Sequence, residues 1–297
     1  MFVLGRFSIL RNKSMATLTV SGSKRRAIYL NPLAMLRHFW RHRDLIVQFT
    51  KREIEGRYRG SFLGIFWSLA YPLFMLGIYT FVFGVVLKAR WPQARSDSLG
   101  EFALIVFCGL TAFNLFGESI SKAPTLITNV PNYVKKVVFP LEILSISGLA
   151  AALFHMVVSL SVILIAQLLL GFSIPWTIIL LPLVVLPAIF LTLGLMWFLS
   201  SLGVFIRDTG QMISIIVQAL FFFTPIFYSV DNIPEPFRTL ILYNPMTSVV
   251  ENFRGIFLWG TLPNIVSMML WLAITTIVML LGYAWFMHTK KAFADVI

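Results

Sequence analysis

The sequence predicts an all-α integral membrane protein: six transmembrane helices, an interfacial amphipathic helix ahead of them, and two short re-entrant helices between the fifth and sixth. Three observations lead there. Hydrophobic residues fill 58% of the 297 positions and charged residues only 12%, with a mean hydropathy of +0.86, outside the balance of a soluble domain. The charges that do occur divide the chain into uncharged stretches long enough to cross a bilayer, for which about 20 apolar residues suffice. The loops between those stretches alternate in basic content.

Residues 1–30 read as a cytoplasmic extension, because Arg6 interrupts the apolar start and "SGSKRRA" leads into no long apolar region. Residues 31–58 follow as an amphipathic interface helix. Leu36, Phe39, Trp40 and Val47 recur there at helical spacing among Arg37, Arg41, Arg43, Lys51 and Arg52, which suits a helix lying on the inner membrane surface or a basic anchor to anionic lipid. The six-helix domain is expected over 59–287. Residues 60–87 carry no charge, 102–117 form a shorter run, and Ile143 to Ile206 has none over a length that must hold two helices. "GFSIPW" (Gly171 to Trp176) is the turn-like break inside that length. Thr209 to Val230 supplies a fifth span and Asn264 to Met287 a sixth. Between them, 231–262 contains Pro234, Pro236 and Pro245, and its longest uncharged stretch, Thr239 to Val250, is too short to span. Residues 288–297 are the tail.

Nineteen Lys and Arg fall on the side of the N-terminal segment, the 122–142 loop, the "IRDTG" turn and the tail, against five on the other. The positive-inside rule makes the first side cytoplasmic, with both termini on it. The 24 basic against 12 acidic residues therefore answer to membrane topology rather than to nucleic acid.

An enzyme or proton-coupled carrier keeps titratable groups near the midplane, and here they are few. Glu118 and Glu142 fall at span ends, and His155, deep in the third span, reads more plainly as a histidine bonded to a neighbour than as a proton relay. H-E-x-x-H, G-x-S-x-G and metal-spaced clusters are absent, as is the G-x-x-x-x-G-K-[ST] loop that cradles ATP phosphates. Single Cys108 excludes an intrachain disulfide. Membrane catalysis and ion-gradient transport are thus poorly supported, and ATP, if it drives the chain, is hydrolysed by a separate subunit. Such a subunit needs a cytoplasmic grip. "NVPNYVKKVVFPLEIL" offers one: Pro131 starts a short helix, Tyr133 and Val134 add contact, and Lys135 and Lys136 add charge. A positive-inside anchor explains the same residues equally well.

Aromatic surface replaces charge inside the spans. Trp67, Tyr71, Phe74 and Phe81 share one helix face, and "FFFTPIFY" gathers Phe221, Phe222, Phe223, Phe227 and Tyr228 about Pro225. Lipid contact, packing or an interfacial belt is the plainer reading. The sharper one is a wall that stacks on sugar rings without fixed register, as a sliding polymer requires. Gly56, Gly60 and Gly64, four apart, permit close helix approach.

Five blocks, in order, carry a resemblance: "RYRGSFLGIFWSLAYPL" (57–73), "NYVKKVVFPLEIL" (132–144), "GVFIRDTGQ" (203–211), "FFFTPIFYSVDNIPE" (221–235) and "YNPMTSVVENFRGIFLWG" (243–260). Together they resemble the membrane subunit of ABC-2 type polysaccharide exporters, the Wzm-like permeases of O-antigen export and their relatives in capsule and teichoic acid export. The resemblance implies a type V exporter architecture of two copies, each with a cytoplasmic ATPase that binds ATP and Mg, this chain having no cofactor of its own. It implies an ATPase contact at Tyr133, Val134, Lys135 and Lys136 and on the interface helix at Trp40 and Arg41. It implies a channel lined by Trp67, Tyr71, Phe74, Phe222 and Tyr228, and an outer gate about Pro234, Pro245 and Trp259. The implied cargo is a polysaccharide on undecaprenyl diphosphate, O-antigen foremost, with capsular polysaccharide or teichoic acid as alternatives and an ion-gradient-driven flippase behind them. Arg57 and Arg59, at the inner mouth, are then placed to meet the diphosphate, although a positive-inside flank is the plainer reading of the pair.

Overall fold

The computed structural model of the chain describes residues 32–95, 98–135 and 139–297, which contain helices and no strand. The expected extension at 1–30 lies outside the described residues, as does Lys136.

The interface helix is two helices. α1 (Pro32–Arg41) and α2 (Arg43–Tyr58) meet at His42, whose Nδ1 lies 2.8 Å from the His38 carbonyl oxygen. No residue of α2 is buried, while Met35 of α1 is. This is the pattern of a surface element that holds on through a few apolar side chains.

Beyond α2 the backbone turns at Gly60 (φ +81) and Gly64 (φ +51). These two glycines therefore serve a left-handed turn rather than a helix contact, and added Cβ atoms at Gly56, Gly60 and Gly64 meet nothing within 4 Å. Close approaches lie elsewhere, one of them between the fourth and sixth spans at Gly194 and Gly282, where a Cβ on Gly282 comes within 2.0 Å of the Gly194 carbonyl oxygen.

The first span, Gly64–Val86, is composite: a 3₁₀ turn, α3 (Trp67–Tyr79) and a π-helical end (Thr80–Val86). The second, α4 (Leu99–Lys122), is longer than its uncharged run. Its Ser98 cap accepts a bond from Glu101 N, and Glu101 is folded inside to accept from Arg95 N. α4 is the axis of the bundle: 78% of its most apolar stretch is buried, against 6% for the first span.

After the single turn α5 (Pro131–Val134), with proline at its first position, α6 (Ile143–Leu169) and α7 (Leu181–Phe205) form the expected hairpin. It bends at Gly171 (φ +76), followed by a 3₁₀ turn over Trp176–Leu180. α8 (Thr209–Phe223) stops well before Val230. At 1.5 Å per residue its 15 residues reach roughly 22 Å, short of a hydrocarbon core of about 30 Å. The chain breaks at Thr224–Pro225, because proline lacks the N–H that the next helical turn needs. Among the described residues five helices thus have spanning length, and the fifth predicted crossing is this shorter one.

Two short helices, α9 (Glu235–Leu242) and α10 (Pro245–Arg254), stand in the predicted place. α10 packs into the core with Met246, Val249, Val250 and Phe253 buried, while α9 leaves Phe237 and Leu240 exposed. A π turn over Gly255–Trp259 and a left-handed Gly260 lead to α11 (Ile265–Thr289), and α12 (Phe293–Val296) ends the chain.

Candidate functional site

At one end of the bundle α1, α2, α5 and the C-terminal segment come together. Glu142, just ahead of α6 and 1% exposed, is bonded to His38 Nε2 at 2.7 Å and accepts from Lys290 Nζ at 2.6 Å, while its carbonyl accepts from Trp197 Nε1 at 3.0 Å. Burial pushes its carboxyl up, but the His38 bond and the Lys290 ammonium outweigh burial and hold it down at about 2. This one carboxylate ties the N-terminal helices, the segment after α5 and the C-terminus together.

The α5 turn is joined to α2 by a ring cluster. Tyr133 lies 5.4 Å from Phe49 and 4.7 Å from Phe139, ring to ring, and Arg52 of α2 lies over Phe49 at 5.0 Å while donating to the Tyr133 hydroxyl. Lys135, Trp40 and Arg41 are exposed and Tyr133 is half-buried. Val134 is a correction to the expected contact surface. It is buried among the residues of the core at this end, so it seats the turn instead of offering a face to another protein.

Next to this end a cavity of 710 Å³ opens between the first, second, third and fifth crossings. Trp67 and Tyr71 line it together with Tyr79, Phe113 and Phe221, and Asn114, Ser159 and Gln218 supply polar groups. The Thr111 hydroxyl on its wall is buried and without a partner among the described residues. The sequence-predicted aromatic wall is thereby divided. Phe74 and Phe222 are 70% and 54% exposed on the outer faces of α3 and α8, and Tyr228 donates its hydroxyl to the Phe222 carbonyl.

The rim of the cavity at this end carries a charged cluster. Arg57 donates to Glu118, Lys122 Nζ lies 3.3 Å from the same Glu118 oxygen and 3.1 Å from Glu53, and His155 Nδ1 sits 3.1 Å from both Arg57 Nη1 and the other Glu118 oxygen. The neutral ring can accept from Arg57 or donate to Glu118 through that nitrogen, not both, and its Nε2 is 3.1 Å from the Tyr58 hydroxyl. His155 is bonded to neighbours, as the sequence suggested. The arginine pair separates: Arg57 is tied into the cluster, and Arg59, past the end of α2, is exposed and unbonded among the described residues.

At the opposite end, Arg254 plays a part that charge counting concealed. Fully buried, it donates from Nε to the Ile105 carbonyl at 3.1 Å, from Nη1 to Pro225 O and Glu251 at 2.6 Å each, and from Nη2 to Ile226 O at 2.7 Å. Its guanidinium lies 4.5 Å from the Trp91 ring centroid. Two of the carbonyls, Pro225 and Ile226, lie in the non-helical segment just past the α8 break, where no helical partner reaches them, which is why a cation is tolerated there. Gly109 of α4 makes room, since a Cβ would lie 2.5 Å from Arg254 Nη2. Pro234 sits at the cap of α9 and Pro245 opens α10, and Trp259 closes the π turn half-buried. Among the described residues no group of three His, Cys, Asp or Glu is placed to hold a metal ion.

The chain matches the ABC-2 type transporter family over residues 44–258. It is 29% identical over 265 residues to the O-antigen export system permease protein RfbA of Myxococcus xanthus, covering 89% of this chain and 99% of that protein. It is 29% identical over 259 residues to RfbA of Klebsiella pneumoniae, covering 86% and 95%. More distantly, it is 22% identical over 251 residues to the polysialic acid transport protein KpsM of Escherichia coli, covering 81% and 92%.

Proposed function

The chain belongs to the ABC-2 type transporter family, and on that premise we propose that it is the membrane permease of an ATP-driven exporter that carries a lipid-linked polysaccharide, O-antigen foremost, across the bacterial inner membrane. The observation that carries this is the reach of the likeness to O-antigen export permeases, which extends over 99% of one of them. A capsular cargo is the second reading, favoured by the weaker similarity to a polysialic acid transporter.

In this reading two copies pair through the apolar faces of the first and fifth spans, where Trp67, Tyr71, Phe74 and Phe222 are all at least 45% exposed. Sugar rings pass along these aromatics and Tyr228, with adhesion that is weak and repeated. Each copy receives an ATPase at Tyr133, Lys135, Lys136, Trp40 and Arg41. The Arg52, Phe49 and Tyr133 cluster supports this, because a push on the α5 turn is passed to α2 through packed rings, and α2 leads directly into the first span. Both termini lie on the cytoplasmic side, a reading supported by Glu142 bonding residues from near both ends of the chain. Arg57 and Arg59 meet the carrier diphosphate at the inner mouth, and α9 and α10, with Pro234, Pro245 and Trp259, form the outer gate.

The test is co-purification with a P-loop ATPase and measurement of ATP turnover in lipid. The proposal expects a stable complex whose turnover rises when lipid-linked polysaccharide is added. Failure of the two proteins to associate contradicts it.

A further inference from the structure

The cluster on the rim of the cavity carries an inference that rests on the proposed meeting of Arg57 with a diphosphate. We propose that Glu118 stands in for phosphate oxygens in the resting protein, and that a diphosphate group binds by displacing it from Arg57 and Lys122.

A single oxygen, Glu118 Oε1, receives both the Arg57 guanidinium and the Lys122 ammonium. Convergence of two cations on one oxygen is the arrangement a phosphoryl oxygen takes. Both cations are accounted for within the site: two carboxylates, Glu53 and Glu118, balance Arg57 and Lys122. An approaching anion therefore finds Arg57 and Lys122 committed until Glu118 withdraws, with Arg59 nearby unpaired among the described residues. The pairs are accessible enough for exchange, Arg57 being 39% and Lys122 37% exposed at the side chain, on the rim of a cavity with room for a headgroup. Glu118 is not left alone when it yields, because His155 Nδ1–H can donate to it while Tyr58 donates to Nε2.

Arg57 and Glu53 belong to α2 and Glu118 and Lys122 to α4. Displacement of Glu118 from Arg57 accordingly loosens α2 from the axis of the bundle, and α2 is the helix that carries Phe49 and Arg52 onto the α5 turn. Binding of the diphosphate and movement of α2 break a shared bond, so each favours the other.

The experiment measures binding of undecaprenyl diphosphate and, separately, inorganic pyrophosphate to the full chain in lipid nanodiscs. Glu118→Gln should bind about tenfold tighter than the native chain, the worth of one released charge-assisted hydrogen bond, and Arg57→Gln about tenfold weaker. A gain for the lipid alone identifies a lipid headgroup as the ligand, and a gain for both probes identifies the diphosphate itself; either supports the displacement. Glu53→Gln adds the same charge and should gain less, and an equal gain there reduces the effect to net charge and overturns the proposal. If Glu118→Gln does not fold, Glu118→Asp, which draws the carboxylate back by one methylene, must still tighten binding. Unchanged affinity on altering Glu118, with Arg57→Gln still weakened, overturns the displacement and leaves the Arg57 reading standing. Arg57→Gln binding like the native chain sinks that reading and the displacement with it.

Discussion

Two arginines, Arg254 toward one end of the bundle and Arg57 toward the other, show how differently the two ends of the molecule are held. Arg254 has no exposed surface, and its partners are three backbone carbonyls and Glu251. Arg57 is 39% exposed at the side chain, and its partners are a carboxylate and an imidazole with other bonds available to them. A carbonyl cannot rotate away from a guanidinium without moving its backbone, whereas a glutamate side chain can. The Arg254 end is therefore braced through backbone, and the Arg57 end is latched through side chains that an incoming anion or a shift of α2 can rearrange.

The largest effect that sharpens this contrast is expected at the brace. Arg254→Met strands the carbonyls of Pro225 and Ile226 and the Glu251 carboxylate, and should cost roughly 3–5 kcal/mol, the loss typical of one partner removed from a buried ionic site. Thermal unfolding in detergent reads it, and a variant of native stability breaks the distinction between the ends. Gly109→Ala presses on the same guanidinium and should cost about 1–3 kcal/mol in the same assay.

An intermediate effect is expected at Glu142, a buried carboxylate at the otherwise pliant end. Its carboxyl is held at about 2 instead of the usual 4.5, so its contribution to stability is complete above pH 4.5 and is lost as pH falls toward 2. Glu142→Gln should be destabilised at neutral pH, and its unfolding temperature should fall less than the native chain's between those two pH values. Equal slopes remove Glu142 as the tie.

Smaller still are the changes expected at exposed residues, where stability should move by less than about 1 kcal/mol while transport responds. Lys135→Glu with Lys136→Glu should leave insertion intact and uncouple ATP turnover from export; retained export removes the α5 turn as the docking point. Trp67→Ala with Tyr71→Ala should reduce export more than expression, and parallel loss of both marks these rings as packing residues.

The spans were legible because a charge in hydrocarbon is so costly that gaps between charges outline the crossings. Glycine and proline punctuation likewise located the 171–176 hairpin and the two short helices. The end of α8 was not legible, since Pro225 within an apolar run can kink a helix or stop one, and only the presence of Arg254 to donate to the carbonyls past the break decides which. Nor could Arg254 be recognised, because apart from Glu251, three residues before it, its partners are backbone groups 28 to 149 residues away. Glu118 read as an interfacial carboxylate for a similar reason: Arg57 and His155 reach it across 61 and 37 residues. The glycines at 60 and 64 misled, because even spacing resembles a helix stripe whether or not the chain between them is helical.

The account stands on ATP-driven export by this chain and a separate ATPase. The most direct measurement is the amount of lipid-linked polysaccharide reaching the outer face of the membrane in cells whose partner ATPase binds ATP but cannot hydrolyse it. The account predicts that export ceases and that the glycan accumulates on the inner face. Export continuing at the native rate contradicts it.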